Sequence, residues 1–393
     1  MTKRALIIGG GIAGPITAIA LRRAGIDSEV FEAYDRGSEG VGAFLTLAVN
    51  GLEALRVLDL HDLVCDLGMD SSLMRMSNGR GKQLATLAQP SRTLKRADLY
   101  QVLRDEAVRR GAHIHYGRRL TDASISGGRV RADFADGTSA EGDLLIGADG
   151  LRSRTRTLID PGAPRARHVG LLNTGGFARG VTVPGEPGTS YFIFGKRCFF
   201  GYLIHPSGEV WWFANPPSPD EPTPAELAAI TPGQWRAELL ELFRDDAGPM
   251  IDIIRATDHI IPGWNTYDFP TVPKWFNERM VIVGDAAHAT SPSAGQGASM
   301  AIEDAVVLAR CLRDVPGTRD AFAAYERLRR GRVERVVKQG RRNGSGKAPG
   351  AFGAFVRDLG MPLIMRQIEK RDLMAWIRDY RISWDDQVAA PRR

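Results

Sequence analysis

The first 32 residues restrict the fold more than any other stretch. Lys3-Arg4-Ala5-Leu6-Ile7-Ile8 reads as a short buried strand, and Gly9-Gly10-Gly11-Ile12-Ala13-Gly14 follows it at once. Pro15 to Gly25 has helical apolar spacing, with Gly25 as the stop. A second strand, Ser28-Glu29-Val30-Phe31-Glu32, ends on an acid. Strand, G-x-G-x-x-G, helix, strand and acid, in that order, is the dinucleotide-binding fingerprint in the context it requires. Gly9 permits the tight turn, Gly11 lets backbone approach a pyrophosphate, and Gly14 lets helix and strand pack closely. The helix start, with Ile12 and Ala13 beside the glycines, turns free N–H groups and positive potential toward phosphate. Glu32 lies about 20 residues beyond the glycines, where an acid accepts from a ribose diol. The motif does not separate NAD from FAD, because both present an adenosine diphosphate.

A chain of 393 residues can bury a large core and fits two domains. At 43% hydrophobic and 25% charged it has the make-up of a soluble globular protein. Cys65, Cys198 and Cys311 are scattered, with no metal-ligand spacing and no even disulfide framework, so no metal is expected and the location expected is the cytoplasm. No apolar run is long enough to span a bilayer. Lys3-Arg4 before an apolar run mimics a signal peptide, but the nucleotide motif explains the same residues. Much of the net charge of +6 sits in Arg329, Arg330, Arg332, Arg335, Lys338, Arg341 and Arg342. These read as a solvated helix face, and without interleaved aromatics they do not suggest a nucleic-acid partner.

Along the chain, Asp35 to Gly42 is turn-rich and Leu52 to Leu60 is helical. Residues 71–93 read as strands around a Ser77–Gly81 hairpin, and Arg96 opens a helix running to about Arg110. A cation at a helix start is disfavoured by the dipole, which hints that Arg96 serves an anion. Further strands lead to Asp143–Ile146, a buried strand running into Gly147-Ala148-Asp149-Gly150. From about 165 to 215 longer strands read as an antiparallel meander, with Phe192, Phe194, Phe199, Phe200, Tyr202, Trp211, Trp212 and Phe213. Such a sheet could wall an apolar pocket, with about half of the rings facing away by strand alternation. Residues 215–232 read as a surface connection, and Ile260–Trp264 as the end of this domain. Arg279–Val283 is again a buried strand, followed by Gly284-Asp285-Ala286-Ala287-His288. After Pro292, Gly295-Gln296-Gly297 opens a helix over Ala298–Arg313, and another runs from Ala321 to Lys338. Arg341–Gly350 reads as mobile and 351–390 as helical. The fold class expected is α/β plus α+β. A Rossmann-like domain (1–70, 95–165 and 271–345) is interleaved with a substrate domain built on an antiparallel sheet (71–94 and 166–270). A C-terminal helical segment follows (346–393).

Read together, these motifs resemble the single-component, FAD-dependent aromatic hydroxylases, the class A flavoprotein monooxygenases that include para-hydroxybenzoate and salicylate hydroxylases. The resemblance spans about residues 1–340. Gly9–Gly14 matches the pyrophosphate loop and Glu32 the ribose acid. Asp149-Gly150 matches the family's DG motif, Gly284-Asp285 its GD motif, and Arg96 a flavin-contacting arginine. Asp285 at a strand end can accept from a ribityl hydroxyl. The resemblance places Gly295-Gln296-Gly297 at the flavin's N1–C2=O edge, where a helix start stabilises negative charge by roughly 0.3–1 kcal/mol, up to about 2 when partly buried. It places Pro292 near the reacting face and makes His288 structural. It implies non-covalent FAD, NADPH or NADH as a transient co-substrate, and O2 activation as a flavin C4a-hydroperoxide. The outcome it implies is hydroxylation or epoxidation of an aromatic or polycyclic small molecule, as in secondary metabolism. The protein would be a monomer or homodimer. Loops at Gly42–Leu47 and Gly295–Gly297 would accommodate a swinging flavin. No residue that deprotonates a phenol stands out, so the catalytic side chain is open. An FAD-dependent dehydrogenase or reductase is the alternative, and a non-enzymatic flavin-binding regulator a remote one.

Overall fold

The computed structural model describes residues 3–35, 43–345, 347 and 351–389. A five-stranded parallel sheet forms the first layer, in the order Met280–Ile282, Leu144–Gly147, Arg4–Ile8, Asp27–Phe31, His113–His115. Three of its strands, Met280–Ile282, Leu144–Gly147 and Arg4–Ile8, are almost wholly buried, which is why they read as unbroken apolar runs rather than alternating ones. The helix Ala13–Arg23 crosses from the first strand to the second, and Gly25, at φ 74°, lets the chain turn back into the sheet. The helices Gly297–Asp314 and Thr318–Ser345 pack with it into one continuous core.

The second layer is a seven-stranded sheet in the order Thr257–Asp268, Arg167–Ala178, Val210–Asn215, Phe199–Ile204, Thr189–Phe194, Leu73–Asn78, Gln83–Ala88. It is antiparallel except where Leu73–Asn78 lies parallel to Thr189–Phe194. Those two strands are far apart in the chain and no hairpin dictates their direction. Alternation splits the aromatics as expected. Phe200, Tyr202 and Trp212 pack under the helices Pro232–Phe243 and Met250–Arg255. Phe192, Phe194, Phe199, Trp211 and Phe213 lie on the opposite face.

Several sequence expectations are corrected. Residues 44–48 are not loop: Phe44–Ala48 is a strand paired with Ser91–Lys95, while Gly42 and the rest of the turn-rich stretch 36–42 lie outside the described residues. The last strand of the large sheet runs on to Asp268 instead of ending at Trp264. Helix extends to Ser345, so Arg341–Ser345 are not a mobile segment; residues 346 and 348–350 lie outside the described residues. The surface connection contains a short helix, Pro224–Ala229, held by a Thr223–Glu226 capping box. Arg329, assigned to a solvated face, is fully buried. Among the described residues no helix is long and apolar enough to cross a membrane.

Candidate functional site

The first strand has its chain neighbour on one side and Leu144–Gly147 on the other, so the strand order switches there. Ligands of open α/β sheets bind outside the carboxyl ends of the strands at such a point. Four of the motifs leave the ends of adjacent strands at this place. Gly9 donates to the carbonyl of Phe31 at 2.8 Å, Ala148 to that of Ile8 at 2.8 Å, and Val283 to that of Gly147 at 3.0 Å. The glycine loop, Glu32, the Asp149 loop and the Gly284 loop are thereby fixed side by side.

The glycines divide by what a side chain would meet. At Gly14 a Cβ would lie 1.8 Å from the carbonyl oxygen of Gly9, and at Gly9 (φ 107°) 2.4 Å from that of Ala148. These two are demanded by the fold itself. At Gly11 a Cβ would meet only Tyr100, at 3.6 Å; at Gly297 only Thr290, at 3.9 Å; at Gly295 nothing within 4 Å. These three face open space, which is the cradle an extended cofactor needs. Ile12 and Ala13, half-buried, form the start of the helix behind Gly11. Buried Thr290 Oγ1 and Asn50 Oδ1, near the Gln296 turn, have no hydrogen-bond partner among the described residues. The residues therefore fit FAD.

Glu32 is nearly buried and accepts from the Gly10 N–H at 2.6 Å and the Tyr34 N–H at 3.0 Å, which orients its carboxylate. Asp149 is used differently: its oxygens accept from Ser153 Oγ at 2.5 Å and from the Thr155 N–H and Oγ1 at 2.9 and 3.0 Å. Its carboxylate shapes the loop, leaving the backbone to meet a ligand. Gly284 adopts φ 59°, ψ −140°, a conformation closed to other residues, and so aims Asp285 away from the strand. The Asp285 carboxylate is open to solvent inside a hollow of protein and makes no hydrogen bond with the described residues. Surrounding protein raises it above the usual carboxylate range, opposed by the charges of His288 and Arg96. Arg96 does start a helix, Arg96–Arg109, and donates from Nε to the Tyr100 hydroxyl at 2.9 Å. Its charge is felt at Asp285 although the two are 189 positions apart in the chain. Pro292 is exposed in a short 3-10 turn, Pro292–Ala294, that Gly295 closes at φ 60°. Gln296 caps the helix Gly297–Asp314, whose first N–H groups point back at this turn.

Beneath the site lies an ionic cluster that the sequence reading missed. Glu303 and Asp304, both fully buried on the Gly297–Asp314 helix, share Arg329 at 2.5 and 2.7 Å. Arg332 adds a second cation to Glu303 at 2.8 Å, and His288 meets Asp304 at 2.5 Å. Burial alone would raise Asp304; the charges of His288 and Arg329 overcome it and hold the carboxyl at about 2. Asp304 also accepts from the Gly284 N–H at 2.9 Å, and Glu303 from Asn50, whose amide holds Gln296 at 2.9 Å. One cluster thus pins the Gly284 loop, the Gln296 turn and His288. Arg156, a few residues after the Asp149 loop, is buried between loops: it donates to Leu151 O at 2.9 Å and Ala286 O at 3.0 Å. The signal available in the sequence was a pair of acids inside an apolar helix.

The FAD binding domain family model matches residues 2–340. Aurachin C monooxygenase/isomerase of Stigmatella aurantiaca is 32% identical over 371 residues, covering 90% of this chain and 92% of that protein. FAD-dependent urate hydroxylase of Klebsiella pneumoniae is 30% identical over 352 residues, covering 86% and 89%. The crystal structure of Klebsiella pneumoniae HpxO with FAD and uric acid superposes with a TM-score of 0.82 at 25% identity, covering 94% of this chain and 95% of that one. The chain belongs to the FAD binding domain family and, within it, to the FAD-dependent monooxygenases of the aromatic hydroxylase type.

Proposed function

We propose that this protein uses NADPH or NADH and O2 to hydroxylate or epoxidise an aromatic or polycyclic small molecule held against its aromatic sheet face. The observation that carries the reading is the junction at Phe44. Its ring lies 5.6 Å from Trp211, 6.1 Å from Phe213 and 6.4 Å from Phe177. The strand that begins at Phe44 leads straight to Asn50 and so to Gln296. The aromatic wall and the glycine-lined cradle therefore adjoin.

In this reading residues 1–70, 95–165 and 271–345 hold FAD, and 71–94 with 166–270 present the substrate. When bound, FAD supplies the electron and oxygen chemistry. Gly9, Gly11 and Gly14, with the N–H groups at Ile12 and Ala13, would hold the pyrophosphate, and Glu32 the adenosine ribose. Asp285 would accept from the ribityl chain, with Arg96 and the Asp149–Gly150 backbone flanking it. Gly295, Gln296 and Gly297 would offer N–H groups to the flavin ring, with Pro292 beside it. The apolar wall excludes water from the reacting carbon and orients it. The protein works in the cytoplasm as a monomer or homodimer.

The test is NADPH consumption by the purified yellow protein in air, with a panel of phenols, indoles and polycyclic aromatics and labelled O2. One compound should accelerate consumption and gain one labelled oxygen. Product without label would establish the dehydrogenase alternative, and protein purified without flavin would overturn the reading altogether.

A further inference from the structure

Lys347 is a buried cation outside the FAD-side cluster. Its side chain is 7% exposed, and Nζ donates to Asn215 Oδ1 at 2.6 Å. Nζ also sits over the ring of Phe199 at 4.2 Å and near that of Phe213 at 5.6 Å. No carboxylate among the described residues pairs with it. Asn215 cannot turn away, because its amide donates to Asn173 Oδ1 at 2.9 Å and to Leu172 O at 3.3 Å.

Two links place Lys347 between the aromatic wall and the Pro292 turn. Its backbone N–H donates to Gly344 O at 3.0 Å, and Gly344 lies against Ser293. One residue earlier, Asn343 donates to Ser293 O at 3.2 Å. Phe213, on the other side, has its ring 6.1 Å from that of Phe44, at the start of the strand that leads toward the cradle. An ammonium in this place is costly without an anion, and none of the described residues supplies one. Burial lowers the Lys347 amine to about 7, opposed only by the Cys198 thiol, so an uncharged amine is accessible near neutrality.

We infer that Lys347, set by Asn215, is the proton acceptor and anion-holding group for a hydroxyaromatic substrate, a deepening that rests on the function proposed above. The substrate O–H bond breaks, an N–H bond forms at Nζ, and the neutral pair becomes an ammonium–phenolate pair. No further reactant is needed. The ring so charged is richer in electrons at the carbons ortho and para to oxygen, which is what electrophilic oxygen transfer requires.

The experiment titrates the FAD-loaded protein at neutral pH with 4-nitrophenol, 4-nitroanisole and 4-nitrobenzoate. Against free ligand at the same pH, bound nitrophenol should show a gain in the visible band of its anion. It should bind more tightly than the methyl ether by roughly tenfold or more, the scale of a hydrogen bond to a charged group. Lys347→Met should lose both the band and the preference while keeping its flavin. Lys347→Gln, which keeps a donor for Asn215 but has no basic site, should do the same if the methionine variant does not fold. Wild type that binds phenol and ether alike or neither, tighter binding of nitrobenzoate, or variants that keep the anion band would each overturn the inference. Flavin content and labelled-oxygen transfer on the same preparation tell which reading has failed. With both intact, only the role of Lys347 is lost; without flavin, the functional reading falls.

Discussion

Two of the cations that the molecule buries, Arg329 and Lys347, are treated in opposite ways. Under the FAD cradle, Arg329 lies between Glu303 and Asp304 with every charge answered. Against the aromatic wall, Lys347 has an amide and two rings. A matched cluster gains little net free energy, since desolvation cancels most of the attraction, but it is costly to break and so fixes geometry. An amine without a carboxylate beside it does the reverse: it leaves free energy to be gained when an acidic ligand arrives. The first arrangement suits a platform that must not move, the second a place that must bind.

The contrast is open to attack from several sides. Arg329→Met removes the cation shared by two buried carboxylates and should cost about 3–5 kcal/mol, read as a large fall in the denaturant midpoint. A near-neutral result would mean the cluster is not a platform. Gly14→Ala drives a Cβ into the Gly9 carbonyl and should cost about 1–3 kcal/mol or more. Gly11→Ala, with only Tyr100 at 3.6 Å, should leave apoprotein stability within about 0.5 kcal/mol yet abolish flavin retention. Equal flavin in Gly11→Ala protein would remove Gly11 from the site. Because Asp304 is depressed in the fold, its stabilisation is present above its unfolded value near 3.8 and drains away as pH falls toward about 2. Acid unfolding between those limits should therefore be shallower in Asp304→Asn than in wild type. Asp285→Asn removes a carboxylate that burial disfavours, so apoprotein melting should hold or rise while FAD binds about tenfold less tightly, the scale of one hydrogen bond to a charged group. Unchanged FAD affinity would leave Asp285 without a ligand role.

What could be read from the sequence was local. Each glycine motif follows an apolar strand within a few residues, so Gly9–Gly14, Asp149–Gly150 and Gly284–Asp285 stand out before any contact is known. Their meeting at adjacent strand ends follows from strand order, which no periodicity encodes. Phe44–Ala48 was hidden because its partner, Ser91–Lys95, lies more than 40 residues away. Arg329 was misread because a polar position on a helical wheel looks the same whether it faces water or a carboxylate 25 positions upstream. Lys347 was lost in a basic, glycine-rich stretch whose composition suggests mobility, while its side chain reaches Asn215, 132 positions away.

The order of the parallel sheet bears on how the protein is made. Its first strand leaves the ribosome early, but one neighbour, Leu144–Gly147, and the edge strand beyond it, Met280–Ile282, are synthesised much later. Most of the seven-stranded sheet is translated in between. At roughly 5–20 residues per second, the apolar face of Arg4–Ile8 waits on the order of ten seconds or more before its sheet can close. During that interval the nascent chain is a natural client for chaperones that shield apolar strands. In the function proposed above, the cradle would be completed only when Gly284 and the Gln296 turn arrive, so that flavin would be captured late in synthesis or after release.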